Sequence, residues 1–535
     1  MNRNENRFRT AFAVIGVLFA LYAAIYIYHT SFVIDGTRYF TLFDDAMISM
    51  RYAKNLVAGE GLVMNPGERV EGFTNPLWVL NMVFLHLLPV SMAKISLLVQ
   101  LAGALLHLAT LWMVMKIVRV VSRDSLGVTV GAVLLTAFYL PLVSWSLQGM
   151  EVSLFAFVLT VAAYLSVRYL NTGTFSPRVF VLLGAGTLVR IDMGVPFVAT
   201  GIFLFAFLPG HRKRVALWGL SLLIGFILFQ TLVRLAYYGD ILPNTYYLKM
   251  TGYPVLLRIS RGLYVFWAFI WRMVPAIFLI PVLAMGKEYT PARGLLAWLF
   301  AAQCAYSIYV GGDAWEVWGG SNRYISAAMP LYFVLFSLGL DRLVRLVIRP
   351  FALLRGKEGV KPGFSSLFTF AALLLICGVL LNNNRGPLSL QGFVFREPPM
   401  NREGNSQMVF FALSIREVTT PDASIAVTWA GALPYFSERY TVDILGKTER
   451  NIAHIPMRRP PEDRKYTFFY PGHLKYDYDY SLGEKKPDVV FQLWNDMDEA
   501  EPYITENYVQ IGLLRWYIFL RKDSPRIRWD MLTQG

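Results

Sequence analysis

Cysteine is almost missing from this chain. The two present in 535 residues, Cys304 and Cys377, both fall in apolar segments, which excludes a disulfide framework and a cysteine metal site and leaves them as small packing residues. Histidine is sparse as well: His29, His86 and His107 are scattered and make no ligand cluster, so no metal site is assigned. No Gly-rich phosphate fingerprint opens a helix, which leaves a nucleotide-binding domain without support. Internal repeats and low-complexity tracts are lacking too. What the chain has in abundance is apolar surface. It is 55% hydrophobic and 15% aromatic, with a mean hydropathy of +0.44, a balance that excludes an ordinary soluble protein and predicts an α-helical polytopic membrane protein.

The charge is unevenly placed. After Leu381 there are 19 Lys and Arg against 20 Asp and Glu, so the whole net charge of +14 lies before that point. In a soluble chain a sequence pI of 9.6 would suggest nucleic acid; here basic cytoplasmic loops and anionic lipid headgroups account for it, and no nucleic-acid partner is expected. Residues 11–28 are 18 uncharged positions, enough to cross most of a hydrocarbon core of about 30 Å. Arg3, Arg7 and Arg9 precede them and keep the amino terminus cytoplasmic, while Tyr26, Tyr28, His29 and Phe32 replace a small-residue cleavage site, so the segment is a retained anchor.

Placing the Lys/Arg-rich loops inside gives about eleven spanning helices. Residues 76–90 are short and read as interfacial or re-entrant; spans follow near 93–115, 127–145 and 152–169, in a hairpin at 179–208, and near 215–236, 263–285, 294–310, 325–340 and 365–381. Arg342, Arg345, Arg349, Arg355, Lys357 and Lys361 form the strongest cytoplasmic marker. The first outer loop is then 31–75, and the loops YYGDILPNTYYLK and YVGGDAWEVWGGSNRY share its side. Residues 1–381 form the membrane domain. Beyond it Pro387, Pro398 and Pro399 mark a linker, and 382–535 read as an extracytoplasmic α/β domain with a helix over 406–418, strands at 424–429, 440–445 and 488–494, and a closing strand or hairpin over 508–520.

The acidic pair Asp44 and Asp45 follows the first span directly and precedes AMISMRYAKNL, where Ile48, Tyr52 and Leu56 share one helical face and Arg51, Lys54 and Asn55 another. The pattern predicts an amphipathic helix at the membrane face. Asp44 could cap that helix and Asp45 favour its positive end, or the two carboxylates, close to an apolar surface, could supply a general base with a raised pKa. Arg190 and Asp192 stand at a hairpin tip deep in apolar sequence, as a functional group or a structural ion pair. Lys249, with Tyr246 and Tyr247, and Arg323 offer cations and ring faces for a phosphate and a sugar, or snorkel at the interface. Asp313, Trp315 and Trp318 belong to a sugar-facing loop or to an aromatic belt, and His473 in PGHLKYD is a further candidate beside the ordinary reading of a satisfied histidine.

FDDAMISMRYAKNL, NPGERVEGFTNPLW, YYGDILPNTYYLK and YVGGD, together with the later AGALPYFSERYTVDILGK and GHLKYD, resemble the C-type (GT-C) membrane glycosyltransferases, in the branch that contains the mycobacterial terminal β-(1→2)-arabinofuranosyltransferase. The resemblance covers both halves of the chain. It implies a polytopic enzyme of the bacterial inner membrane whose acidic motif serves the transfer, whose donor is a polyprenyl-phosphate sugar, and whose carboxy-terminal periplasmic domain helps bind a glycan or protein acceptor. In that frame Asp44 is the general base with Asp45 as its partner; Arg190, Asp192, Tyr246, Tyr247, Lys249 and Arg323 face the donor phosphate and sugar; and Asn75, Asp313, Trp315 and His473 face the acceptor or sugar. Arabinofuranose is the favoured sugar, inversion the favoured outcome, and other pentoses, hexoses and the help of a divalent cation stay open. A flippase of lipid-linked sugars and a non-catalytic envelope-assembly scaffold are the rivals; the first usually shows repeated halves, which are not visible here.

Overall fold

Long apolar sequence makes long helices, because a backbone without water must bond to itself. The computed structural model describes residues 3–122, 124–286, 289–316, 319–354, 364–460, 462–513 and 516–532; Trp318, Arg355, Lys357 and Lys361 lie outside them. Among the described residues four helices are long and apolar enough to cross a membrane: Glu5–Thr30, Ile95–Val121, Val152–Thr172 and Pro209–Tyr238. Two further candidates are bent. Leu126–Ala137 and Leu140–Leu147 meet at 52°, and Val255–Arg272 and Pro275–Leu283 at 87°, so the number reaches six if each pair is one span. Pro141 and Pro275 stand in the first turn of the second helix of each pair, where a missing N–H costs nothing and the chain can change direction. The count of eleven expected from hydropathy includes segments that are short here: the 179–208 hairpin is built from Arg178–Gly186 and Gly194–Phe207, of 9 and 14 residues.

The helix Asp44–Val57 departs from the interfacial helix expected of its pattern. Ile48 and Tyr52 are buried, but so are Arg51 and Asn55 on the polar face. That face is covered by protein rather than water: the Asn55 amide donates to the carbonyls of Val63 and Met64, both at 2.9 Å, and Lys54 pairs with Glu438 of the carboxy-terminal domain. Nor does Asp44 cap the helix. Phe43 holds the cap position without a side-chain bond, and both aspartates sit in the first turn, where the helix dipole favours them.

The carboxy-terminal domain is a five-stranded sheet. Strands β3 (Ser424–Val427), β4 (Tyr440–Asp443), β5 (Val489–Val490), β6 (Tyr508–Leu513) and β7 (Trp516–Arg521) run in the order β4-β3-β5-β7-β6, the first three parallel and the last two an antiparallel hairpin; β1 (Phe32–Ile34) and β2 (Thr37–Tyr39) form a separate hairpin in the first loop. Alternation sorts the side chains to two cores. Ile425, Val427 and Val489 face the helix Arg402–Val418, where Val409, Phe411 and Ile415 are buried, whereas Ala426, Val442 and Val490 pack with Tyr476, Tyr478 and Leu482.

Polar side chains fasten this domain to the membrane half. The Asn65 amide accepts from Thr441 N–H and donates to Thr441 C=O, both at 2.9 Å, so it covers the outer edge of β4 as a neighbouring strand would. Asn244 donates to the carbonyls of Gly446 and Lys447 at 2.9 and 3.0 Å, and Lys475 to that of Tyr247 at 2.9 Å. We expect Asn65→Ala to leave two buried backbone groups unpaired and to cost about 1–3 kcal/mol. Thermal unfolding and limited proteolysis in detergent should show a lower midpoint and earlier release of the carboxy-terminal domain; an unchanged midpoint would mean that this edge is held by other contacts.

Candidate active site

Asp45 is the meeting point of three distant parts of the chain. Its Oδ2 accepts from Arg323 Nη1 at 2.9 Å and its Oδ1 from Lys447 Nζ at 2.8 Å. Arg323 opens a short helix capped by Asn322 and is bound on its other side by Asp313, Nε to Oδ2 at 2.7 Å and Nη2 to Oδ1 at 2.9 Å. Lys447 is presented by a turn folded around buried Asp443, which accepts from the N–H groups of Leu445 and Thr448 at 3.1 and 2.9 Å. Lys447 Nζ also stands 3.9 Å from Asp44. The result is a row of alternating charges, Asp313, Arg323, Asp45, Lys447 and Asp44.

The two adjacent aspartates have different surroundings. Asp45 lines a cavity of about 420 Å³, together with Asn75, Arg190, Asp192, Tyr246, Lys249 and Arg323 from the sequence candidates. Asp44 is not among the lining residues; its Oδ1 accepts from Gly431 N–H at 3.0 Å. A side chain at Gly431 would lie 2.3 Å from Asp44 oxygens, so glycine is required there and the AGALPYF segment closes directly over Asp44. The sequence placed the base on Asp44; Gly431 of the carboxy-terminal domain lies against its carboxylate, and of the adjacent pair it is Asp45 that lines the cavity.

Their environments push the two acids apart. Burial drives the Asp44 carboxyl up to about 6, opposed by Lys447 and helped by Asp45. Burial acts on Asp45 too, but Lys447, Arg323 and Lys249 outweigh it and hold it well below the usual carboxylate range. Lys447 is raised, its own burial being overcome by Asp45 and Asp44. Lys249 goes the other way: burial, with Arg323 and Lys447 nearby, brings it down to about 8 against the pull of Asp45. Its stem runs against Gly472, in the PGH turn, where a Cβ would come within 3.0 Å of the lysine chain.

The remaining candidates divide. On the wall of the same cavity Arg190 forms a bidentate pair with Asp192, both bonds 2.9 Å, lies 3.4 Å from Glu151, and covers the Tyr324 ring at 4.8 Å. Asn75 donates to Glu151 at 3.1 Å and accepts from Ser49 at 3.2 Å. Asp313, Trp315 and His473 line a small recess that shares Asp45, Lys249, Arg323 and Lys447 with the main cavity. His473 is lowered to about 3 by burial and by Lys447 and Lys249. Tyr247 is turned elsewhere, its ring 4.2 Å from that of His454. Sequence reasoning missed Lys447, Glu151 and Tyr324. Glu151 had a signal, a lone carboxylate between two apolar runs; Lys447 had only its place after a strand. Among the described residues no three His, Cys, Asp or Glu side chains are grouped as metal ligands would be.

The apolar helices are those of a multi-pass membrane protein, and they carry a buried charge row against a small sheet domain; the likeness in fold is to GT-C structures. The chain is similar in structure to ArnT from Cupriavidus metallidurans in the apo state, with a TM-score of 0.50 and 13% identity over 96% of this chain and 98% of that one. It is similar also to the apo oligosaccharyltransferase of Archaeoglobus fulgidus, with a TM-score of 0.50 and 10% identity over 97% of this chain and 75% of that one. At these identities the likeness is one of fold. A family model described as a domain of unknown function (DUF8728) matches residues 400–527, and no curated protein matches the sequence.

The Asp44 shift has a measurable sign. Because its carboxyl is raised from 3.8 to about 6 on folding, the folded protein holds the proton more tightly than the unfolded chain across that window. Its contribution to stability therefore falls as pH rises through the window and levels off above it. Asp44→Asn keeps an oxygen for Gly431 and removes the titration. The unfolding midpoint of the wild type, compared with that of Asp44→Asn, should decline between about pH 4 and pH 6 and then run parallel; curves parallel throughout would exclude a raised Asp44.

Proposed function

We propose that the protein is a membrane glycosyltransferase that moves a sugar, arabinofuranose favoured, from a polyprenyl-phosphate donor to a hydroxyl of a cell-envelope glycan or surface protein at the outer face of the bacterial inner membrane. The observation that carries this reading is the ionised Asp45 on the wall of a cavity shared with Lys249, at the end of an apolar bundle of GT-C fold. On this reading residues 1–381 hold the donor and the reacting groups, and 382–535 form an extracytoplasmic domain that receives the acceptor.

The chemistry follows from the charges. The acceptor hydroxyl gives its proton to Asp45 as its oxygen bonds to the anomeric carbon, and the bond from that carbon to the phosphate oxygen breaks with its electron pair staying on the phosphate. A carboxylate held so low is a weak base, so the proton leaves late, when the attacking oxygen has become acidic. The departing phosphate needs cations rather than a proton. Arg190 is engaged by Asp192 and Glu151, and Arg323 by Asp313 and Asp45, so this role falls first on Lys249, which lines the same cavity. Inversion fits this arrangement: the cavity's other carboxylates, Glu151 and Asp192, are tied to Arg190 and are poorly disposed to act as a second nucleophile. Asp44 becomes a positioning residue that holds the carboxy-terminal domain over its neighbour.

Reconstituted protein supplied with a panel of polyprenyl-phosphate sugars and an acceptor extract should consume one donor, with the arabinofuranosyl form first in rank. Asp45→Asn should lower transfer by about 100-fold or more while membrane insertion stays intact, a greater loss than Asp44→Asn produces. Normal transfer by Asp45→Asn would remove the base, and a panel left wholly unconsumed would remove the enzyme.

A further inference from the structure

A second cavity, of about 320 Å³, lies on the other side of the loop that carries Asp313, with Ala314 forming part of the wall of both this cavity and the recess beside Asp45. Its lining is cationic and aromatic: Arg261, Arg272 and Arg385 with Tyr264, Tyr466 and Tyr470. The one carboxylate on its wall is occupied. Glu316 takes Arg261 at 2.9 Å, the Asp313 N–H at 2.8 Å and the Asn322 amide at 2.9 Å. Arg272 has only a long bond of 3.4 Å to the Glu316 carbonyl, and among the described residues Arg385 has no carboxylate partner. Two guanidiniums thus share a cavity without an anion to balance them, and the Tyr264 and Tyr466 rings stack at 5.7 Å along its rim.

The level at which these arginines stand says what kind of anion fits. Arg272 ends a helix whose outward face, Leu256, Leu263, Tyr264, Trp267 and Trp271, is exposed and apolar or aromatic, and the chain bends by 87° just beyond it. Arg385 comes four residues after Leu381, the end of an apolar helix. Arg272 stands at the break between two apolar helices and Arg385 just past the end of another, both beside exposed apolar surface, within reach of a phosphate whose acyl chains stay in the bilayer. We infer that this cavity is a second binding site, for the phosphate of a membrane-borne lipid, separate from the Asp45 cavity. The inference does not depend on sugar transfer, because its readout is binding.

The test uses the full chain in phosphatidylcholine nanodiscs, titrated with dioctanoyl phosphatidic acid and followed by native mass spectrometry. The wild type should retain the lipid, and Arg272→Gln with Arg385→Gln should weaken it by about tenfold or more. Arg385→Gln alone, at an exposed position with no ion pair to break, should weaken it by about threefold and guards against misfolding of the double variant. Inorganic phosphate at the same concentration should not displace the lipid. Unchanged retention in both variants would overturn the inference, as would loss caused by Lys249→Gln in place of the arginine variants, which locates the lipid in the Asp45 cavity. Displacement by inorganic phosphate would overturn the assignment to a lipid.

Discussion

The carboxylate of Asp45 joins two cations that come from parts of the chain far from it in sequence, Arg323 at a separation of 278 residues and Lys447 at 402. Neither the membrane bundle nor the sheet domain holds this arrangement alone. Breaking a buried charge pair from one side leaves the other charge stranded at a cost of about 3–5 kcal/mol, so the contact is also a strong condition on how the two halves sit. The neighbouring side chains keep its partners in place. Asp313 orients Arg323, Asp443 folds the turn that carries Lys447, and Asn244 holds that turn from the membrane side.

The short and bent helices make sense under that condition. A bundle of straight spans would carry its polar groups in lipid or at its ends, whereas helices that stop early leave room for Arg190, Asp192 and Glu151 to meet inside protein. The same logic explains why Arg51 and Asn55 are buried. A polar helix face that would lie in water in an isolated membrane domain is here the floor on which the first loop and the sheet domain rest.

Much of this was legible in the sequence. Hydropathy located the apolar helices, and the strand patterns at 424–429, 440–445 and 508–520 fall on β3, β4 and the β6–β7 hairpin. Most residues expected on one side of the membrane do line one cavity: Asp45, Asn75, Arg190, Asp192, Tyr246, Lys249 and Arg323. What stayed hidden was which way adjacent side chains turn. Asp44 and Asp45 look alike as letters, and only the closure of Gly431 over Asp44 separates them. The interfacial reading of Asp44–Val57 failed for the same reason, since periodicity reports that two faces differ but not whether water or protein meets the polar one. Lys447 had no local pattern, because its role is set by contacts made across the whole chain.

Those long separations order events at the ribosome. As segments enter the bilayer in turn, Asp45 is in place before Arg323, and Arg323 before Lys447, Pro471 and His473. Until the segment that carries Lys447 is translated, the carboxylate lacks one of its two hydrogen-bonded cations and the chamber part of its wall. A polypeptide that stops short of Lys447 therefore has neither the full charge row around Asp45 nor a closed chamber.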